Sequence, residues 1–172
     1  MSVYRIEALD PAKHRRAEFQ CESPALTEFL QKRARQEMEA RSSACFVLVP
    51  LDDVGRIAGY YTLSAAEVVT TELPEEVAKK LPRYRLLPAT LLGRLVRDAA
   101  FCGRGIGDRL MVDALARAFT GSVEIGSVAV VTDPQDDRAA EFYRGFGFLR
   151  LNDRRLILSM RDVARMLQER PA

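Results

Sequence analysis

The spacing of hydrophobic residues in two segments of the chain predicts its two longest helices. In the segment DRLMVDALARAF, the charged residues Asp108, Arg109, Asp113 and Arg117 point away from one apolar face of a helix, which is formed by Leu110, Met111, Ala114, Leu115 and Ala118. Ser23 followed by Pro24 is typical of a helix start, and the apolar spacing after it predicts a helix to about Ala40. Shorter helices are predicted from Pro74 to Lys80, after Pro134, and from Arg161 to Gln168.

Alternating or continuous apolar runs between these helices predict strands. They are VYRIEAL, a hairpin of SACFVLVP and RIAGYYTLSAAEVV, the run from Thr90 to Asp98, EIGSVAVVTD, and a final hairpin of FLRL and RRLILSM. Helices and strands are interspersed, so the fold class is α/β, with a mixed sheet and helices on both of its faces.

Length and composition limit the class of protein. A chain of 172 residues, 48% of them hydrophobic, suits a single domain, which we expect to cover residues 1–172. The sequence has no apolar run long enough for a membrane span and no signal core near its start, so we expect a cytoplasmic protein that does not enter a membrane. Three cysteines without CxxC spacing argue against a disulfide framework and against a metal site.

Positive charge is concentrated in one part of the chain. From Lys79 to Arg109 there are eight basic and two acidic residues, a net charge of +6, while the other residues carry −4. This distribution favours a phosphorylated ligand or a nucleic acid, although the same residues could also form an ordinary solvated face.

The segment CGRGIG joins a predicted strand to a predicted helix. Backbone amides in the first turn of a helix bind anions, and glycine lets a phosphate approach them. The segment lacks the GK[ST] of a P-loop, and Asp108 stands where a dinucleotide fingerprint begun at Gly103 needs glycine. A phosphate-binding turn of another type and a plain glycine turn both remain open.

A tyrosine downstream is the second candidate for chemistry. In PQDDRAAEFYRGFGF a helix presents Tyr143 just before a glycine turn. Tyr143 could pack in the core, or it could donate its proton to a leaving group, because a phenol stays protonated near pH 7.

These two segments, in this order, resemble the GNAT superfamily of N-acetyltransferases. The resemblance implies a single-domain GNAT fold with a mixed, mostly antiparallel sheet of about six to seven strands, and acetyl-CoA as co-substrate. It implies that Leu95, Val96 and Arg97 bind the pantetheine arm and the acetyl carbonyl. The diphosphate would lie on Cys102, Gly103, Arg104, Gly105, Ile106, Gly107 and Asp108.

The segments FQCESPALTEFLQKRARQ, GYYTLSAAEVV, LLGRLVRD, AAEFYRGFGF and RLILSM further resemble bacterial toxins of the TacT/AtaT type. That resemblance implies acetylation of the α-amino group of aminoacyl-tRNA, a ribbon-helix-helix antitoxin, DNA binding only through the antitoxin complex, and a homodimer. The chain departs from the pattern at Cys102, where Gln or Arg is usual, and at Arg97, where a small apolar residue is common.

Attack of an amine on a thioester requires particular groups, which indicates roles for individual residues. Tyr143 is the candidate acid for the departing thiolate, and no dedicated base is needed because much of an α-amino group is already neutral near pH 7. His14, the only histidine, is expected at the surface, and of the adjacent Tyr60 and Tyr61 one could face the substrate. Candidate contacts to tRNA phosphates are Lys32, Arg33, Arg35, Arg83, Arg85 and Arg94. An acetyltransferase of a small-molecule amine or a protein N-terminus is the alternative.

Overall fold

The fold is taken from a computed structural model, which describes residues 3–170. Seven strands form one sheet: β1 (Tyr4–Ala8), β2 (Ala44–Pro50), β3 (Gly59–Val69), β4 (Leu86–Arg97), β5 (Ala129–Thr132), β6 (Leu149–Arg150) and β7 (Leu156–Ser159). Their order in the sheet is β1-β2-β3-β4-β5-β7-β6. The pairs β1/β2, β2/β3, β5/β7 and β6/β7 are antiparallel and β4/β5 is parallel. The predicted mixed, mostly antiparallel sheet is confirmed.

The helices are α1 (Pro24–Glu28), α2 (Ala34–Glu39), α3 (Glu75–Ala78), α4 (Ile106–Glu124), α5 (Asp137–Arg144) and α6 (Met160–Glu169). Ser23 caps α1, accepting a hydrogen bond from the Leu26 amide as the sequence predicts. The helix predicted to run to about Ala40 is interrupted, because residues Phe29–Arg33 form a π-helical turn between α1 and α2.

Several predicted boundaries are wrong by a few residues. The strand expected from Thr90 begins already at Leu86, and α4 continues to Glu124, so β5 begins only at Ala129. The hairpin of β2 and β3 is confirmed, but its second strand begins at Gly59.

The chain divides into two compact units. The first comprises residues 1–64 and 93–114, and the second comprises residues 65–92 and 115–172. The expectation of a single domain stays a prediction, and its outermost residues 1, 2, 171 and 172 lie outside the described part of the chain.

In the first unit, helices cover both faces of the strands. Tyr60 donates its hydroxyl hydrogen bond to the carbonyl of Leu26 in α1, while Tyr61, on the opposite face of β3, bonds Asp113 in α4. Both tyrosine side chains are buried, so the expectation that one of them faces the substrate is wrong.

His14 is buried rather than exposed. Its Nδ1 accepts the hydrogen bond of the Asp10 amide, and its Nε2 lies 2.8 Å from Glu7 Oε1. A position between Lys13 and Arg15 suggested a surface residue, but the local turn places the ring against β1.

The second unit has its own core. It is formed by residues from β3, α3, β4, β5 and β7, among them Val68, Val77, Leu87, Val131 and Ile157. The parallel register of β4 and β5 places Thr90 beside Val130. None of the helices within residues 3–170 is long and apolar enough to cross a membrane.

Candidate active site

The end of strand β4 is held by one buried carboxylate. Asp98 accepts hydrogen bonds from the amides of Gln20, at 2.9 Å, and Ala100, at 2.8 Å. Both of its oxygens also lie 3.2 Å from the guanidinium of Arg56. Since Ala100 belongs to the 3₁₀ turn Ala99–Phe101, Asp98 ties the end of β4 to the segment that leads into the glycine turn.

The glycine turn follows directly, and its backbone requires glycine at two positions. Gly103 and Gly105 have φ angles of +76° and +71°, which other residues rarely adopt. A Cβ atom at either position would meet no atom within 4 Å, so the turn is open on its outer side. Gly105 accepts the first hydrogen bond of α4 from the Arg109 amide, which leaves the amides of Ile106, Gly107 and Asp108 without an acceptor inside the helix.

A third glycine lets strand β3 approach this helix. A Cβ atom at Gly59 would come within 2.9 Å of side-chain atoms of Ile106 and Leu110 and within 3.0 Å of the Val96 carbonyl oxygen. Gly59 therefore allows the start of α4 and the end of β4 to pack against the same point of the sheet.

The predicted contacts for the pantetheine arm lie on the last residues of β4. Leu95, Val96 and Arg97 are half-buried. The Arg97 Nε is buried and, within the part of the chain that the structure describes, has no hydrogen-bond partner. This N–H is thus a buried donor without an acceptor, an arrangement that a native protein normally avoids.

Residues of the turn itself present charge and a thiol to solvent. Cys102 and Arg104 are exposed, and the Arg104 guanidinium lies 5.0 Å from the ring centroid of Phe101. Arg56 lies 5.4 Å from the same centroid. A cavity of about 540 Å³ opens beside Phe101 and is lined by both arginines and by Asp52 and Asp53, so basic and acidic side chains balance in its lining.

In the second unit, Tyr143 lies on α5 and is buried. Its ring packs at 64° to that of Phe148, with 5.6 Å between centroids, and its hydroxyl hydrogen-bonds the side chain of Thr132. Thr132 in turn donates to the Leu92 carbonyl on β4 at 2.9 Å. Burial raises the pKa of Tyr143, against a smaller lowering by the bond with Thr132, so the phenol keeps its proton at neutral pH.

The first unit holds four of the six residues predicted to bind tRNA. Arg94 lies with its guanidinium 3.5 Å from the ring centroid of Phe29, and Arg33 is 5.4 Å from the same centroid. Lys32 lies 3.9 Å from Glu28, and Arg35 forms an ion pair of 2.9 Å with Glu39. Arg33 and Arg94 are therefore brought together, whereas Lys32 and Arg35 are partly neutralised by their neighbours.

The other two, Arg83 and Arg85, lie in the second unit on the segment that enters β4. Both are exposed, and they line a groove of about 590 Å³ together with Lys79 and Tyr84. Among residues 3–170, no carboxylate forms an ion pair with any of these three basic side chains.

Sequence reasoning missed the residues that support the site. Asp98 follows a strand and precedes a short turn, a position typical of an N-cap, but its bond to Arg56 spans a large sequence separation that no motif indicates. Nothing in the sequence indicates a role for Thr132, because threonine is common at the end of an apolar strand.

With this geometry established, the chain can be compared with known proteins. The model of the acetyltransferase (GNAT) family matches residues 8–148. A "tRNA-acetylating toxin" of Mycobacterium tuberculosis (strain ATCC 25618 / H37Rv) is 33% identical over 130 residues, which are 76% of this chain and 75% of the relative. A "Probable toxin TacT" of Sinorhizobium fredii (strain NBRC 101917 / NGR234) is 28% identical over 150 residues, 83% of this chain and 82% of the relative.

Solved structures share the same fold. A crystal structure of a tyrosine-to-phenylalanine mutant of KacT superimposes with a TM-score of 0.88 at 26% identity, covering 96% of this chain and 99% of that one. A mutant AtaT toxin bound to the C-terminus of the antitoxin AtaR and acetyl-CoA superimposes with a TM-score of 0.81 at 20% identity, covering 96% and 99% of the two chains.

Proposed function

Because this chain belongs to the GNAT acetyltransferase family, we propose that it transfers the acetyl group of acetyl-CoA to the α-amino group of an aminoacyl-tRNA and so acts as a toxin that blocks translation. The observation that carries this proposal is the likeness, over three quarters of the chain, to a protein that is itself a tRNA-acetylating toxin. The geometry of each unit is consistent with a part of that reaction.

The glycine turn is the proposed seat of the acetyl-CoA diphosphate. It offers the amides of Ile106, Gly107 and Asp108 and the positive end of a helix of 19 residues, which together attract an anion. The turn is open where a side chain would otherwise stand, and Arg104 adds an exposed positive charge at its rim. Cys102 contributes no charge of this kind, so the backbone amides and Arg104 carry the binding.

The last residues of β4 are the proposed contacts for the pantetheine arm. Extended backbone at Leu95 and Val96 presents amides and carbonyls that can bond an amide-containing arm, as strands bond one another. One of these amides is suited to stabilise the oxyanion that forms when the amine attacks the thioester. The unpaired Nε–H of Arg97 is a further donor at this end of the strand.

Tyr143 is the proposed general acid. The α-amino nitrogen attacks the thioester carbon, the carbon–sulfur bond breaks, and the Tyr143 hydroxyl gives its proton to the departing thiolate. The amine reacts in its neutral form, and much of an aminoacyl α-amino group is neutral near pH 7, so no side chain has to serve as its base. Burial against Phe142 and Phe148 raises the pKa of Tyr143 by more than the bond with Thr132 lowers it, so the phenol stays protonated until that step.

Basic side chains are the proposed contacts for tRNA phosphates. Arg83 and Arg85 have no ion-pair partner among residues 3–170, and the guanidinium groups of Arg33 and Arg94 lie 5.4 Å and 3.5 Å from the ring centroid of Phe29. Lysine and arginine on exposed surfaces bind phosphates without reading the base sequence, so we expect these residues to set affinity and its dependence on salt.

We further propose the partners that the toxin resemblance implies. They are a ribbon-helix-helix antitoxin, DNA through the complex with that antitoxin, and a second copy of the chain in a homodimer. The proposed site of action is the cytoplasm, where tRNA is charged and used.

The decisive experiment measures transfer of labelled acetyl from acetyl-CoA to a pool of charged tRNA, with deacylated tRNA and free amino acids as controls. Label on charged tRNA alone is the expected result. Label on a small amine or a protein N-terminus, with none on charged tRNA, would replace this proposal by the alternative acetyltransferase.

In direct binding measurements, the double charge reversal Arg83→Glu and Arg85→Glu should weaken tRNA binding and leave acetyl-CoA binding intact. Reversal of Arg161, an exposed arginine on α6 of the same unit, is the matched control. Equal tRNA affinity in the double variant and the wild type would remove Arg83 and Arg85 from the tRNA surface.

A further inference from the structure

One aromatic side chain of the second unit is far more exposed than the others that the structure describes. Tyr84 has 68% of its surface exposed, whereas the tyrosines Tyr60, Tyr61 and Tyr143 are buried. Tyr84 has no ring contact or hydrogen bond within residues 3–170. Burying a tyrosine ring releases a large apolar surface from water, so an exposed ring is available for a partner.

The ring stands in a basic groove. Arg83 and Arg85 flank Tyr84 in the chain, Lys79 lines the same groove, and Glu75 is the one acidic residue in its lining. The segment from Lys79 to Arg85 contains four basic residues and no acid. The groove therefore carries positive charge on both sides of an exposed aromatic face.

The backbone below the ring is held in place. The amide and the hydroxyl of Thr70 donate to the carbonyl of Arg85 at 3.0 Å and 3.2 Å. Pro82 restricts the backbone just before Arg83, and Leu81 packs against the core of the second unit. The groove is thus a preformed surface, and binding to it requires little ordering of the chain.

We propose that this groove binds an unpaired nucleotide at the single-stranded end of the RNA substrate, with the base stacked on Tyr84 and its phosphates on Arg83 and Arg85. The inference rests on the proposed function and adds to it a contact to a base. An aromatic face between cations is the combination that holds single strands, because every base has a π-face while its phosphates need positive charge. Inside a duplex the base faces are covered by stacking on their neighbours, so the site favours an unpaired nucleotide.

The test compares binding of two fluorescent RNA hairpins to the full chain. One hairpin ends in a single-stranded tail and the other is the same stem trimmed flush. We expect Tyr84→Ala to weaken binding of the tailed hairpin by about 5- to 150-fold and to leave the flush hairpin unchanged. Tyr84→Phe, which keeps the ring, should bind both hairpins as the wild type does.

Salt and a matched variant separate stacking from charge. The double variant of Arg83 and Arg85 should weaken the tailed hairpin more than the flush one and reduce the salt dependence of its binding, whereas Tyr84→Ala should leave the salt dependence unchanged. Ile125→Ala, which removes another highly exposed apolar side chain of the same unit, should change neither.

Three results would overturn the proposal. The first is an unchanged affinity of Tyr84→Ala for the tailed hairpin, which would leave the groove to a protein partner. The others are an equal loss of affinity for both hairpins in this variant, and no binding of either hairpin by the wild type. The acetyl-transfer assay tests the proposed function separately. Acetylation of charged tRNA by the wild type, with the same rate and the same KM for tRNA in Tyr84→Ala, refutes the groove alone. A selective loss on the tailed hairpin without any acetyl transfer refutes the proposed reaction alone.

Discussion

Arg56 holds Asp98 through both carboxylate oxygens, each 3.2 Å from a guanidinium nitrogen, at the point where β4 ends. Asp98 is almost fully buried, and it also accepts the amides of Gln20 and Ala100. The pair thereby connects the loop before α1, the end of β4 and the entry to the glycine turn within the first unit.

Asp98→Asn is expected to lower the free energy of unfolding by roughly 3 kcal/mol, because it leaves a half-buried arginine without its counter-charge. Urea unfolding measures the change. The control is Asp153→Asn, whose ion pair with Arg150 is exposed and should contribute less than about 1 kcal/mol. Equal losses in the two variants would contradict the role assigned to Asp98.

Two glycine-to-alanine changes are expected to act in opposite directions. Gly105→Ala should destabilise the chain by about 1–2 kcal/mol, since its φ of +71° is unfavourable for alanine even where space is free. Gly121→Ala, within α4 and also in open space, should stabilise by about 0.5–1 kcal/mol. Thermal unfolding checks both signs, and calorimetric titration with acetyl-CoA should show weaker binding only for the change at Gly105.

Tyr143→Phe is expected to reduce kcat of acetyl transfer by about 10²- to 10⁴-fold, the usual contribution of a general acid, with little change in acetyl-CoA affinity. Tyr60→Phe is the matched control, because it also removes a buried hydroxyl, one that donates to Leu26. That control should lose stability and keep its turnover. An unchanged kcat for Tyr143→Phe would mean that another group protonates the thiolate.

Cys102→Arg is expected to raise acetyl-CoA affinity about three- to tenfold, because it adds a charged donor at an exposed position of the phosphate turn. Calorimetric titration measures the gain, and Cys21→Ala tests whether removing a thiol alone has any effect. No gain in affinity would place Cys102 away from the phosphates.

Because of Glu7, the free energy of unfolding is expected to fall in acid. Burial raises its pKa, but hydrogen bonds from Lys13 and His14 and the charge of Arg5 outweigh this and lower the pKa from 4.5 to about 2. The carboxylate therefore contributes stability that is complete above pH 4.5 and is lost as the pH falls toward 2. Urea unfolding across this window should show that the free energy of unfolding falls less steeply with pH in Glu7→Gln than in the wild type. Glu39→Gln, which removes the charge of an exposed ion pair, should follow the wild type.

Local features of the site could be predicted from the sequence, and contacts between distant segments could not. The glycine turn and α4 were predictable because glycine identity and apolar spacing act over a few residues. The stacking of Arg94 on Phe29 joins residues far apart in the chain, and nothing in either segment indicates it.

Errors at element ends have a physical cause as well. Ile125 is apolar but 82% exposed, and it extended the apparent strand pattern of β5 backward to Glu124, the last residue of α4. His14 was predicted at the surface from its charged neighbours, but hydrogen bonds to Asp10 and Glu7 satisfy both ring nitrogens and permit burial.

The π-helical turn between α1 and α2 has a consequence for insertions and deletions in this chain. A π-helical turn holds one residue more than a turn of α-helix, so the extra residue is taken up within that turn and the helix on either side keeps its phase. Removing one residue between Phe29 and Arg33 would therefore be absorbed by conversion of the wide turn into a regular one. The same deletion within α4 would instead rotate all the side chains before it by about 100° relative to those after it.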